Sequence, residues 1–73
     1  MKKSLPPGTK ITVFDQHQVE LGEGTLMHRE YEADRDLMIY ECEEHVILAK
    51  GEHYLEVAGV LYQVLQGVVD FSK

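Results

Sequence analysis

The chain has 73 residues, 44% apolar and 27% charged, which is the composition of one small folded domain and not of a disordered chain. A domain of this length buries only about 60% of the surface its unfolded chain exposes, leaving little room for an internal cavity plus a catalytic apparatus. Its formal net charge of -6 is concentrated between Glu20 and Glu56, where eleven acids stand against Arg29, Arg35 and Lys50. Because nucleic-acid affinity rests on cations that neutralise phosphates, this distribution argues against a DNA or RNA binder; a basic partner or a divalent cation fits it better, and solubility is the plainer reading of the acidity.

In chain order, Pro6-Pro7-Gly8 reads as the end of an extended lead-in over residues 1–8, with an ordered domain over 9–73. Thr9-Lys10-Ile11-Thr12-Val13-Phe14 is β-branched and alternating, and Asp15-Gln16-His17-Gln18 is a polar connection. Val19 and Leu21 resume the period of two. Gly22-Glu23-Gly24 interrupts it, and an extended pattern continues from Thr25 to Tyr31, which predicts a long strand with a bulge or bend at the glycines. The acid between those glycines repels phosphate, so the triplet is not a phosphate loop.

Glu32 to Asp36 is turn-like, and the apolar runs Leu37–Tyr40 and His45–Ala49 predict a hairpin across an acidic tip. Lys50-Gly51-Glu52 turns the chain again. Leu55-Glu56-Val57 and Val60 to Val64 then flank Ala58-Gly59 as a second hairpin. A helix over residues 52–66 is the rival reading, but its apolar positions circle the whole wheel, and Gly59 in its middle would cost about 1 kcal/mol. Gln66-Gly67 breaks the chain before a short strand over residues 68–71. The expected fold is therefore all-β, a small single-domain barrel or roll, SH3-like or OB-like, of six or seven short antiparallel strands. Such an architecture does not by itself fix a function.

Cys42 and His45 have a C-x2-H spacing, and Glu43 between them adds an oxygen donor, so Cys42, His45 and Glu43 form the candidate metal site. Two observations weaken it. Structural zinc sites draw on two close pairs of sulfur or nitrogen ligands, and only one pair exists here. Residues three apart on a strand also point to opposite faces, so Cys42 and His45 converge only if Glu43-Glu44 makes a tight turn. Neighbouring carboxylates raise the pKa of a thiol, which opposes a cysteine nucleophile; Ser4 and Ser72 are both terminal, and no catalytic set is read. No cofactor and no enzymatic activity are expected. The aromatic residues, among them Phe14, Tyr40 and Tyr62, are read as packing and not as a base-stacking platform, since no basic groove accompanies them.

One cysteine makes no internal disulfide, and Met1-Lys2-Lys3 runs at once into Ser4-Leu5-Pro6-Pro7-Gly8 without a secretory apolar stretch. A reducing cytoplasm is the expected compartment. No apolar run reaches the roughly 18 residues that span a bilayer, so no membrane role is expected. Between Val57 and Phe71 apolar residues fall on both faces of the predicted strands, a surplus that one small barrel does not cover. Leu61, Val64, Leu65, Val68 and Phe71 are the candidate interface of a self-associating interaction module, with a homodimer or another protein as partner. Metal or small-ligand binding through residues 41–45 is the alternative, and a nucleic-acid-binding barrel is a third reading.

Overall fold

The computed structural model describes residues 5–71 as seven antiparallel strands in one curled sheet. They are β1 (Thr9–Phe14), β2 (Glu20–Glu32), β3 (Leu37–Cys42), β4 (Val46–Lys50), β5 (His53–Val57), β6 (Val60–Leu65) and β7 (Val68–Val69). Residues 1–4 of the expected lead-in and residues 72–73 of the expected domain lie outside the described residues. The all-β small roll is borne out, as a half-barrel, and residues 52–66 form the hairpin and not the rival helix.

The strand order is β4-β3-β2-β1-β5-β6-β7. β4 and β5 are consecutive in the chain and joined only by Gly51-Glu52, yet four strand spacings separate them in the order. Across a flat sheet that is about 19 Å, well beyond what two residues span. The sheet must therefore curl until its β4 side approaches β5, and this curl creates the core. Ile11, Val13, Leu26, Met38, Tyr40 and Leu55 are all buried on its concave face.

β2 makes the curl possible. Its first half pairs with β1 and its second half with β3, and the extra residues in these ladders are Leu21 and Met27. The bulge at Met27 inverts the side-chain phase: Gly22, Gly24 and Leu26 face inward before it, Arg29 and Tyr31 after it. The glycines are not themselves bulged, since Gly22 pairs in register with Val13 and Gly24 with Ile11. They are points of close approach. A Cβ on Gly22 would lie 3.2 Å from Ile47, and one on Gly24 would lie 2.9 Å from the Cys42 Cβ.

Local turn chemistry agrees with the sheet. Gly8 takes a φ of 95° as the Thr9 N–H donates to the Pro6 carbonyl at 3.2 Å, a proline-initiated turn into β1. Both two-residue hairpins, Ala58-Gly59 and Gln66-Gly67, have positive φ at each central residue, as a type I′ turn requires. Gly67 has a second duty: its α-carbon lies under the Tyr31 ring, where a Cβ would come within 2.5 Å of Tyr31 Cγ. The β6–β7 turn is thereby seated on the far end of β2.

Candidate functional site

The acidic tip between β3 and β4 is a tight turn. The Cys42 N–H donates to the His45 carbonyl at 3.0 Å, so Glu43 and Glu44 are its two central residues, the one geometry in which Cys42 and His45 approach. Their side chains nevertheless part. Cys42 continues the inward face of Met38 and Tyr40 and packs half-buried against the core, whereas His45 is exposed. Burial, then the Glu44 carboxylate, raises the Cys42 thiol above its ordinary pKa and keeps it protonated.

Nor is the tip merely solvated. The Glu43 N–H donates to the Thr25 carbonyl at 2.9 Å. The Glu44 carboxylate accepts from the Thr25 N–H at 2.9 Å and from its hydroxyl at 3.0 Å. These donors, the Thr25 N–H first, hold Glu44 below the usual carboxylate range. Gly24 makes the docking possible, because a Cβ there would meet Glu44 Oε1 at 2.9 Å. Glu44 is thus a clasp between the β3–β4 turn and β2. Alongside it runs an open groove of about 460 Å³ whose lining includes Lys10, Thr12, Glu23, Thr25, Glu44 and Glu56.

Among the described residues, the donor atoms that come together are those of His28, Glu30 and Glu41, all within 4.8 Å of one another on the convex face. Cys42, His45 and Glu43 are not in this group. β-Sheet register explains the difference: His28 and Glu30 are two apart on β2, and Glu41 stands directly across from His28 on β3. Cross-strand pairing of this kind is invisible until the register is known. All three are exposed, and such groups need no ion to exist.

The interface candidates divide by face. Val64 is 0% exposed and belongs to the core, opposite His53. Phe71 is half-buried with its ring 5.0 Å from that of Tyr62, also on the core side. Val64 is thus corrected from a surface to a packing role, and Phe71 is shared between the core and the surface. Leu61 is half-buried and faces outward across from Glu56. Leu65 and Val68 form a cross-strand pair and are 50% and 68% exposed. The sequence reading missed a second exposed pair, Val46 and Leu48 on β4, at 57% and 55%. Val46 to Ala49 are four successive apolar residues, so composition alone does not separate the buried Ile47 and Ala49 from the outward Val46 and Leu48.

A buried polar pair was also missed. His53, 2% exposed, has Nε2 2.6 Å from the Tyr40 hydroxyl and Nδ1 2.8 Å from the Gly51 carbonyl. A carbonyl only accepts, so Nδ1 carries the proton, and neutral His53 accepts from Tyr40 at Nε2. Burial lowers the His53 pKa, against the Gly51 carbonyl and the Asp36 charge, which raise it. Burial likewise raises that of Tyr40, against the Arg29 guanidinium across from it on β2. The signal was the alternation His53, Leu55, Val57, which puts His53 on the inward face. This pair is an internal polar brace between β3 and β5, not a solvent-facing catalytic set.

Fold and surface together define a small all-β half-barrel with exposed apolar side chains at both sheet edges. The chain matches no protein-family model, no curated protein and no solved structure.

Proposed function

We propose that the protein is a small cytoplasmic protein-interaction module that self-associates through the outward face of its C-terminal strands, with no catalysis of its own. The observation that carries this reading is the exposed Leu65–Val68 pair, on the same outward face of β6 as Leu61 and opposite the core. Large apolar side chains clustered on one face are worth more against a partner than against water, at about 25 cal/mol per Å² buried. Acids beside them, Glu56 among them, disfavour nucleic acid as that partner. The protonated Cys42 thiol supports the absence of nucleophilic chemistry.

Light scattering after size exclusion, run over a concentration series, tests the proposal. The wild-type protein should exceed monomer mass, and the double variant Leu65→Glu with Val68→Glu should lower that mass. An unchanged mass in the double variant would remove the C-terminal strands from the interface.

A further inference from the structure

The β4 edge differs in kind from the C-terminal face, because it offers backbone groups as well as apolar side chains. The Cys42–His45 hydrogen bond sets the ladder phase: Ile47 and Ala49 turn their N–H and C=O toward β3, and Val46, Leu48 and Lys50 turn theirs away. No described residue pairs with that outer row. The protective devices usual on edge strands are sparse here: β4 has no proline, and Lys50 is its only charge.

We infer that two copies of the chain pair β4 against β4 in antiparallel register about a two-fold axis at Leu48. The inference rests on the interaction-module reading only in taking a protein as partner, and it does not depend on the C-terminal face. In this register Leu48 meets its own counterpart, and Val46 meets the second copy's Lys50. Each facing pair exchanges two N–H···O bonds.

The side chains choose a second copy as the occupant. Ile39 stands across from Leu48 on β3, so the centre of the paired sheet is an apolar ladder of Ile39, Leu48 and their two symmetry mates. Toward each end, Glu41 stands across from Val46, and the second copy's Lys50 lies beside that Val46. Glu41 and this lysine are two strand spacings apart, about 10 Å between α-carbons, within reach of the two long side chains. The symmetry repeats the pair at the other end. A net negative chain thus meets itself with its one β4 cation beside an acid, which parallel pairing would not achieve.

The test uses full-length protein carrying Leu65→Glu and Val68→Glu, which silences the C-terminal face. Light scattering at about 0.5 mM, high enough to populate a complex of upper-micromolar Kd, should give a dimer. Leu48→Pro removes an outward N–H without touching the β3 ladder and should give a monomer with an unchanged circular dichroism spectrum. Lys50→Glu and Glu41→Lys each place like charges at both ends and should raise Kd about tenfold. Mixed in equal amounts, those two variants restore opposite charges at both ends and should recover the wild-type affinity. A monomer in the silenced background, a dimer that tolerates Leu48→Pro, or a mixture that fails to recover would each overturn the inference. If the C-terminal reading alone is wrong, the silenced protein behaves as wild type and the β4 variants still dissociate it.

Discussion

Tyr40→Phe deletes one oxygen and leaves His53 Nε2 as a buried acceptor with no donor. The pair is shielded, with Tyr40 fully buried and His53 2% exposed, so water does not readily replace the hydroxyl. An orphaned buried polar group costs about 1–3 kcal/mol. For a domain of this length each kcal/mol moves Tm by about 4–8 °C, so a loss of about 2 kcal/mol lowers Tm by about 8–16 °C. Thermal melts followed by circular dichroism at pH 7.5 read this directly. The pair also makes stability pH-dependent. Burial holds the folded-state pKa of His53 below the ordinary histidine value of 6.5, so the unfolded chain binds the extra proton first. The stabilisation is whole above pH 6.5 and is lost as pH falls from there through the lowered folded value. His53→Leu should flatten that limb of the profile, and Tyr40→Phe with His53→Leu should cost less than the two changes summed. A Tyr40→Phe melt within about 3 °C of wild type, less than 1 kcal/mol on this scale, would refute the brace.

The clasp predicts that Glu44→Gln loses the part of the acid stability profile that wild type has above the ordinary glutamate value of 4.5 and sheds as pH falls through the lowered folded pKa; chemical denaturation between pH 3 and pH 6 reads this, and identical profiles would refute the docking. Gly24→Ala forces its Cβ onto Cys42 and Glu44 and should cost about 1–3 kcal/mol in urea melts. The glycines of the two type I′ turns should rank unequally: Gly59→Ala meets nothing within 4 Å and carries only the strain of positive φ, about 1–2 kcal/mol, whereas Gly67→Ala adds a collision with the Tyr31 ring and should melt lower. Cys42 should react with a disulfide reagent at pH 7 more slowly than a free thiol, with urea unfolding removing the difference; equal rates would contradict its half-buried, protonated state.

Much of the fold is legible in local chemistry. Alternation from Thr9 to Phe14, the Ala58-Gly59 and Gln66-Gly67 turns, and the failure of residues 52–66 to leave a polar helical face each point to a strand or hairpin. Sequence also marks Gly22 and Gly24 as special and predicts a long bulged strand, and a bulge does fall at Leu21 beside Gly22, but the glycines' own role as points of close approach is not legible. A glycine bulge and a glycine under a crossing side chain look alike until the residue above it is known, and here those residues are Ile47 from β4, brought over by the curl, and Cys42 and Glu44 from the end of neighbouring β3 and its turn. Site features suffer most from this. His28 with Glu41, and Tyr40 with His53, are pairs made by register and curl across 13 residues of sequence, so no motif spacing announces them. The interface residues divide for a simpler reason: Val64 and Leu65 are adjacent, equally apolar and on opposite faces, and only the identity of the covered face separates them.

In a half-barrel the proposed association surfaces fall at the sheet's edges. A closed barrel abolishes its edges; a sheet that curls without closing keeps two. At one end the edge is managed, since β7 is only two residues long and its turn is anchored beneath Tyr31. At the other end β4 runs for five residues with Val46 and Leu48 exposed and Lys50 as its only charge. The same curl that brings β4 over Gly22 buries Ile47 and Ala49, so substitutions that blunt the edge must fall on Val46, Leu48 or Lys50, where they leave the core intact. Polar substitution at Leu48 removes exposed apolar surface without opening a cavity, so it should leave monomer stability within about 0.5 kcal/mol. Loss of self-association without loss of stability at Leu48, against loss of stability at neighbouring Ile47, is the pattern expected of an edge that serves a partner.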